Sequence, residues 1–266
     1  MSREQNAPTS GEQNAPTSGE VRLRALPGVP PIAPGDDLAG ALTAAAQRAG
    51  VALRDGVLVV CQKVISKQEG RLVVLAEVEP SQEAVRIARE HGKEPSHIEV
   101  ILRETRRIVR RGHGVLICET HHGLVCANAG VDLSNAPADG VAVLLPRDPD
   151  ASARRLRAEL LARGAGEPLG VIVSDTFGRP FREGLVDVAI GCAGLRPLDD
   201  WRGRSDLRGR ELAVTVNATA DQLAAAAGLL MAKDAGHPAV FVTGFAAAGD
   251  GSAGELLRDP AIDLFR

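Results

Sequence analysis

Short apolar segments of two periodicities alternate irregularly along this chain, and their order constrains the fold more than any other feature. Helical patterns occupy residues 36–49, 81–91, 96–110, 151–163 and 220–233. Strand patterns occupy residues 55–66, 71–78, 115–120, 124–127, 141–145, 170–174, 211–216 and 239–243. The order is not a regular βαβ alternation, and no long internal repeat is present. We therefore expect an α+β fold of mixed and antiparallel sheets with packed helices, as one compact unit or two intimately packed subdomains.

Two segments near the N-terminus are unsuited to a helix or a sheet. The octapeptide EQNAPTSG occurs twice in tandem, at 4–11 and 12–19, and is a polar segment with no large apolar side chain to bury in a core. We expect residues 1–20 to be a disordered tail and residues 21–266 to form the folded domain. The strip LPGVPPIAPG at 26–35 is too rich in proline for a helix and should be an extended approach to the first helix.

Composition and charge exclude several classes of protein. Aromatic residues make up 2% of the chain, with no tyrosine, which disfavours a base-stacking surface for nucleic acids. The net charge of -3 lacks the positive footprint that nucleic acid or an anionic membrane would attract. No apolar run is long enough to span a membrane, and we expect a cytoplasmic protein whose partners are small molecules.

The four cysteines and the paired histidines do not suggest a metal centre. Cys61, Cys118, Cys126 and Cys192 form no CxxC pair and are expected to be reduced core thiols. The adjacent residues at 121–122 would point to opposite faces of a strand, so we interpret these histidines as structural. No nucleophile elbow and neither common nucleotide-binding fingerprint is present.

The first polar cluster is QKVISKQEGR, which carries Lys63 and Lys67 four residues apart. We interpret it as the exit of a buried strand, where both lysines could reach phosphate oxygens as point charges. The alternative interpretation is a solvated strand end, since most lysines are exposed.

The second cluster lies in CANAGVDLSNAPADG, where small residues lead to Asp132, Ser134 and Asn135. A carboxylate there could hold a hard divalent cation while the amide contacts a neighbouring ligand. An Asx-type turn, in which Asp and Asn bond their own backbone, explains the same residues equally well.

The third cluster lies in GVIVSDTFGRPFREG, where a buried strand ends at Asp175 and Thr176 and is followed by Arg179 and Arg182. Carboxylate and hydroxyl oxygens suit Mg²⁺ or Mn²⁺, and arginines suit phosphate or carboxylate. Charges placed beside a core need partners, which favours a functional site. The alternative is a loop salt bridge between Asp175 and one arginine.

Taken together, several motifs resemble one family. They are LPGVPPIAPGDDL, VVCQKVISKQEGR, CANAGVDLSNAP, LLPRDPDASARR, VSDTFGRPFREG and the closing DLFR. In this order they resemble the coenzyme F420-0:L-glutamate ligase family, also called F420 gamma-glutamyl ligase, from about Leu26 to Arg266. The resemblance implies a homodimeric α+β enzyme that uses GTP, Mg²⁺ or Mn²⁺, and K⁺ to add L-glutamate to F420-0 and then further γ-linked glutamates. Some members carry a C-terminal nitroreductase-like domain; this sequence ends at DLFR, so we expect no FMN site and no redox step.

The resemblance also implies which residues form the site. It assigns the metal ligands to Asp132, Asp175 and Thr176. It assigns the nucleotide contacts to Val29, Pro30, Pro31, Ile32, Gln62, Lys67, Asn135, Met231, Ala232, Lys233, Asp234, Ala235, Gly236, His237 and Pro238. One further metal position, often glutamine in the family, is Lys233 here. A protonated lysine cannot ligate a metal, which puts the second metal site in question.

This assignment is chemically consistent with the polar clusters. Amide formation from a carboxylate needs a better leaving group than oxide, and phosphorylation by a nucleotide supplies one. Asp132 and Asp175 would hold divalent ions, Lys67 would stabilise developing charge, and Arg179 and Arg182 could clamp carboxylate or phosphate. Two rival hypotheses are a metal-dependent nucleotide hydrolase and a non-catalytic deazaflavin or nucleotide-binding module; the lysine in the metal position mildly favours the module.

Overall fold

The structure, a computed structural model, describes residues 15, 16, 19–246 and 248–264. Most of the tandem octapeptide repeat lies outside the described residues, so the predicted disorder of residues 1–20 stays a prediction. The α-helices are α1 (Leu38–Arg48), α2 (Gln62–Gln68), α3 (Gln82–His91), α4 (Pro95–Arg103), α5 (Pro149–Ala162) and α6 (Thr219–Gly228). The strands are β1 (Ala15–Pro16), β2 (Arg22–Ala25), β3 (Gly56–Cys61), β4 (Leu72–Val74), β5 (Thr105–Gly112), β6 (Val115–Thr120), β7 (Val125–Ala127), β8 (Val141–Val143), β9 (Leu169–Arg179), β10 (Arg182–Ala193), β11 (Asp199–Asp200), β12 (Val216–Asn217), β13 (Ala239–Thr243) and β14 (Phe245–Ala246).

A five-stranded mixed sheet in the order β10-β9-β3-β13-β2 forms the centre of the molecule. β3 and β9 are parallel, and the other neighbours are antiparallel. β3 is apolar on both faces because helices cover both: α1 and α5 pack on one face and α6 on the other. The start of α1 is fixed by an N-cap, since Asp37 Oδ1 accepts a hydrogen bond from Gly40 N at 2.9 Å. This mixture of helices and sheets confirms the predicted α+β fold.

A second subdomain is inserted between β3 and β9. It contains α3, α4, the β4–β8 pair and the antiparallel sheet β5-β6-β7. It has its own apolar core, drawn from residues 73–144 alone. Arg71 joins the two parts: its Nε donates to Leu145 O at 2.9 Å, and its Nη2 pairs with Glu104 at 2.7 Å. The two subdomains are therefore intimately packed, as predicted.

Two predicted elements are wrong over part of their length. The strand predicted at 55–66 ends at Cys61, and α2 begins at once, so the lysines at 63 and 67 lie one turn apart on a helix. The helix predicted at 96–110 ends at Arg103, and β5 follows, paired with β6. β-Branched residues in β5 suit a strand, and pairing with β6 outweighs the helical periodicity.

Smaller differences lie at other element ends. β9 extends five residues beyond the predicted 170–174, and the strand predicted at 71–78 keeps only Leu72–Val74. The strand predicted at 211–216 is wrong except at Val216. The helix predicted at 220–233 ends at Gly228, so the residues that follow it are not helical. The proline-rich strip 26–35 contains no helix or strand, as predicted.

The cysteines agree with the sequence analysis. All four cysteines are free thiols, and three of them are buried. Among residues 15–16, 19–246 and 248–264, no helix combines the length and the apolar character needed to cross a bilayer.

Candidate active site

A cavity of about 680 Å³ opens where the central sheet meets the second subdomain. The floor of the cavity is the edge of the central sheet at which the parallel strands β3 and β9 end. Residues that follow neighbouring parallel strands come together at such an edge. The walls are the extended segment 29–32, the segment 126–136 of the second subdomain and the segment 231–238 that follows α6. Five separate parts of the sequence therefore meet in one cavity.

The lysine cluster and the Asp132 cluster meet across this cavity. Lys63 Nζ pairs with Asp132 Oδ2 at 2.7 Å and donates to Ser134 Oγ at 2.7 Å. Asp132 also accepts a hydrogen bond from Ser134 N at 2.7 Å, so the Asx-type turn and a charged contact coexist. Burial alone would raise the pKa of Asp132, but the bonds from Lys63 and Ser134 leave that pKa below its usual value.

Asn135 connects this turn to the segment after α6. Its backbone is left-handed, with φ of 54°, and its Nδ2 donates to Lys233 O at 3.2 Å. The amide thereby fixes one end of the 231–238 segment against the second subdomain.

Lys67 lies one helical turn beyond Lys63 and differs from it in its partners. It lines the cavity, and its ammonium group makes no hydrogen bond or ion pair with any residue that the structure describes. Burial lowers the pKa of Lys67, and the neighbouring charge of Lys63 lowers it further. A partly buried cation without a protein partner is suited to an anionic ligand.

Asp175 and Thr176 stand at the end of the buried part of β9 and both line the cavity. Burial raises the pKa of the Asp175 carboxyl to about 7, and the negative charges of Asp132 and Asp187 raise it too. The alternative of a salt bridge to Arg179 or Arg182 does not occur among the described residues.

Asp187 is a site residue that the sequence analysis missed. It lies opposite Thr176 in the β9–β10 register, lines the cavity and accepts a hydrogen bond from Thr176 Oγ1 at 2.7 Å. Its carboxylate also packs against the end of α6, where a Cβ at Gly228 would lie 2.9 Å from Oδ2. Register across a hairpin is not readable from the sequence alone, and no motif marked this residue.

Most of the residues assigned by resemblance to the nucleotide line this cavity. They are Val29, Pro30, Pro31, Ile32, Lys67, Asn135, Met231, Ala232, Lys233, Gly236, His237 and Pro238. Asp234 and Ala235 belong to the same segment but do not line it. Gln62 is fully buried at the start of α2, where its Oε1 accepts from Ser66 Oγ at 2.7 Å and its Nε2 has no partner among the described residues. Ser174 Oγ, at the cavity, is likewise buried and unpartnered within the described part of the chain.

Arg179 and Arg182 lie apart from the cavity. They face each other next to the exposed turn of the β9–β10 hairpin, and Arg179 Nη2 donates to Glu183 O at 2.9 Å. Neither lines the cavity, so within one chain their role as clamps stays a prediction.

The remaining candidates for catalysis or metal binding are structural. His121 and His122 contact backbone carbonyls at Arg103 and Pro146 and do not line the cavity. Burial raises the pKa of Cys61, which does line it, to about 11, so this thiol stays protonated at neutral pH.

The donor set suits a hard divalent cation. Asp132, Asp175 and Thr176 offer only oxygen atoms to the cavity, as Mg²⁺ and Mn²⁺ prefer. Asp175 is half-buried, and no cationic side chain of the described residues is bonded to its carboxyl. Throughout residues 15–16, 19–246 and 248–264, no three His, Cys, Asp or Glu side chains form a ready metal centre. A bound Mg²⁺ ordinarily keeps waters and phosphate oxygens among its ligands, so the residues present fit such an ion.

The raised pKa of Asp175 predicts a pH-dependent stability in the absence of metal. Because the folded state holds this proton more tightly than the unfolded chain, the contribution is fully present below about pH 4 and is lost as pH rises through about 7. At pH 8 in EDTA, the free energy of unfolding of Asp175→Asn should therefore exceed that of the unmodified protein by roughly 1–4 kcal/mol, and its melting temperature should be higher. The difference should shrink at pH 5. Thermal melts at both pH values measure it, and an equal difference at pH 5 and pH 8 would contradict the assignment.

Comparison with known proteins identifies the family to which this chain belongs. The sequence pattern of the family described as F420-0:Gamma-glutamyl ligase matches residues 28–244. The chain is 46% identical over 251 residues to the coenzyme F420:L-glutamate ligase of Methanothermobacter thermautotrophicus, covering 92% of this chain and 99% of that protein. It is 46% identical to the protein of the same name from Methanopyrus kandleri, over 92% and 98% of the two chains, and 44% identical to that of Archaeoglobus fulgidus, over 90% and 94%. The chain therefore belongs to the F420-0:gamma-glutamyl ligase family.

Proposed function

We propose that this protein ligates L-glutamate to F420-0 and then adds γ-linked glutamates, with GTP as phosphoryl donor and an acyl phosphate as intermediate. The observation that carries the proposal is the convergence of Asp132, Asp175 and Lys67 in one cavity. A reaction between a polyphosphate and a carboxylate needs positive and metal-binding groups at one place. The relatives' printed names supply the glutamate and the F420 substrate.

The chain's own side chains would act mainly by placing charge. Lys67 would bind a phosphate oxygen of the nucleotide and oppose the negative charge that develops during phosphoryl transfer. Lys63 is already neutralised by Asp132, so it orients that carboxylate rather than the nucleotide. Asp187 accepts a hydrogen bond from the Thr176 hydroxyl, which leaves the lone pairs of that oxygen free.

The divalent ion would be held by Asp132, Asp175 and Thr176. When bound, Mg²⁺ or Mn²⁺ neutralises phosphate charge during transfer. Lys233 lines the same cavity, and as a cation it could contact phosphate instead of a second metal. The proposed reaction also requires K⁺, as the family resemblance implies.

A homodimer is part of the proposal. Phe181, in the turn of the β9–β10 hairpin, is 88% exposed, and Leu185, on β10, is 65% exposed. Arg179 and Arg182 flank the turn. Exposed apolar side chains next to arginines suit a protein interface, which would shield them from water. Sedimentation equilibrium tests the dimer directly.

Mass spectrometry of the product tests the proposed activity. Purified protein is incubated with F420-0, L-glutamate, GTP and Mn²⁺, beside controls that lack GTP or glutamate. Stepwise mass increases of one glutamyl residue that require both would support the ligase. GTP hydrolysis at full rate without glutamate would support a nucleotide hydrolase, and binding without turnover would support a non-catalytic module.

Lys67→Met should weaken nucleotide use because it removes the only cavity cation on α2 that lacks a partner within the described residues. We expect kcat/KM for GTP to fall by about 10²-fold. Initial ligation rates at varied GTP measure this change. The matched control is Lys93→Met, which lies outside the cavity and should keep the unmodified rate. Equal kcat/KM values in the two variants would refute a role for Lys67 in phosphate binding.

A further inference from the structure

A second cavity of about 950 Å³ runs along β2, the edge strand of the central sheet. We call it the edge groove; it is lined by 22–25, Pro27, 50–52, 54–55, Leu230, His237, Phe241 and Thr243. His237 lines both the edge groove and the candidate active site, so the two cavities adjoin at that residue. The reaction as proposed above makes no use of this space.

The edge groove is lined by arginines in a regular arrangement. Arg22 and Arg24 are two residues apart on β2 and therefore point to the same face of the sheet, roughly 6.6 Å apart. That face is the α1 side, because Arg24 is paired with Phe241, whose side chain packs with α1. Arg54 adds a third arginine to the lining, from the loop between α1 and β3.

These guanidinium groups are available to a ligand. The guanidinium groups of Arg24 and Arg54 make no hydrogen bond or ion pair with any residue in the described part of the chain. Arg22 pairs with Glu20 at 2.9 Å, but both side chains are mostly exposed, and such pairs exchange readily for another carboxylate. The lining contributes one acidic side chain, Asp55. The balance of charge in the edge groove is therefore positive.

We propose that the edge groove binds the growing γ-glutamyl chain of the product, an inference that rests on the proposed ligase function. Each γ-linked glutamate leaves one free α-carboxylate. Five backbone bonds separate successive repeats, which in an extended chain is about 6 Å. That spacing matches the distance between Arg22 and Arg24, and each guanidinium can bind a carboxylate through two parallel hydrogen bonds.

The position of the edge groove determines which step it affects. The terminal carboxylate must occupy the active site to be phosphorylated, so the glutamates added earlier extend away from it. An adjoining cavity that begins at His237 would hold those earlier residues. The first glutamate is added to an acceptor that has no such chain. The edge groove therefore promotes chain extension and leaves the first addition unaffected.

The test reverses the charge of two arginines that line the edge groove but not the candidate active site. Arg24→Glu/Arg54→Glu is compared with Arg89→Glu/Arg110→Glu, which makes the same change of net charge on exposed residues that line neither cavity. We expect the groove variant to add the first glutamate to F420-0 within about twofold of the unmodified rate, while its KM for an acceptor that already carries two glutamates rises about tenfold. Its products should be shorter at equal enzyme and time. The control should match the unmodified protein in both steps.

Binding of a synthetic tetra-γ-glutamate peptide, measured by calorimetry at low salt, supplies a readout independent of turnover. The groove variant should lose about tenfold in affinity and the control should not. Equal product lengths, or equal peptide affinity, in the two variants would overturn the inference while the ligase function stands. If no variant extends any acceptor, the proposed function fails, and peptide affinity still decides whether the edge groove binds the oligomer. Thermal melts of both variants establish that they are folded.

Discussion

Asp175→Asn should reduce the rate of glutamate ligation by about 10²- to 10⁴-fold at saturating Mg²⁺ or Mn²⁺. Asp175 is half-buried where the apolar part of β9 ends, near Asp132 and Asp187, and loss of hydration there raises the pKa of its carboxyl to about 7. A bound cation would offset the cost of ionising it there, and asparagine, which is neutral, would bind that cation far more weakly. The loss should therefore be of turnover and of metal affinity together.

The measurement is the initial rate of glutamyl addition at a series of Mn²⁺ concentrations, with Mn²⁺ binding followed by electron paramagnetic resonance. The control is Asp139→Asn, an exposed residue that lies outside the cavity. It should retain the unmodified rate. Full activity of Asp175→Asn at saturating Mn²⁺ would show that this carboxylate is not a metal ligand.

Gly191→Ala should unfold the protein at a much lower temperature, because a side chain on β10 at this position would enter the backbone of α5. An added Cβ would lie 2.3 Å from Pro149 O and 2.4 Å from its carbonyl carbon. The first turn of α5 is also held there by Asp150, whose Oδ1 accepts from Cys192 N at 2.8 Å. Neither backbone can move without separating helix from sheet, and we expect a loss of about 3 kcal/mol or more.

Thermal and urea denaturation measure this loss, which should lower the melting temperature by roughly 6–12 °C. Gly112→Ala is the matched control, since no atom lies within 4 Å of its added Cβ and its backbone does not require glycine. Its stability should stay within about 0.5 kcal/mol of the unmodified protein. A melting temperature for Gly191→Ala equal to that of Gly112→Ala would mean that α5 and β10 do not pack as described.

Local chemistry made several elements predictable. The apolar runs at 56–61 and 169–174 are strands because no polar side chain interrupts them, and both faces are buried. Asp37 caps α1 and Ser81 caps α3, as side chains that satisfy free N–H groups do. The helical periodicity at 104–110 was misleading, because pairing between β5 and β6 depends on residues in a neighbouring strand.

The sequence by itself determined the chemistry that the candidate site contains. Its motifs identified Asp132, Asp175, Thr176 and Lys67 as candidates, and the structure brings all four into one cavity. Their residue types alone favour a cation and phosphate, because oxygen donors and ammonium groups bind those species wherever they stand.

Only the tertiary structure decided which neighbours complete that chemistry. Strand register placed Asp187 against Thr176, and the early end of α6 brought Lys233 and His237 to the cavity. The same packing left Arg179 and Arg182 outside it and aligned Arg22 and Arg24 along the edge groove. These arrangements depend on contacts between residues far apart in the chain, which a local pattern of side chains does not encode.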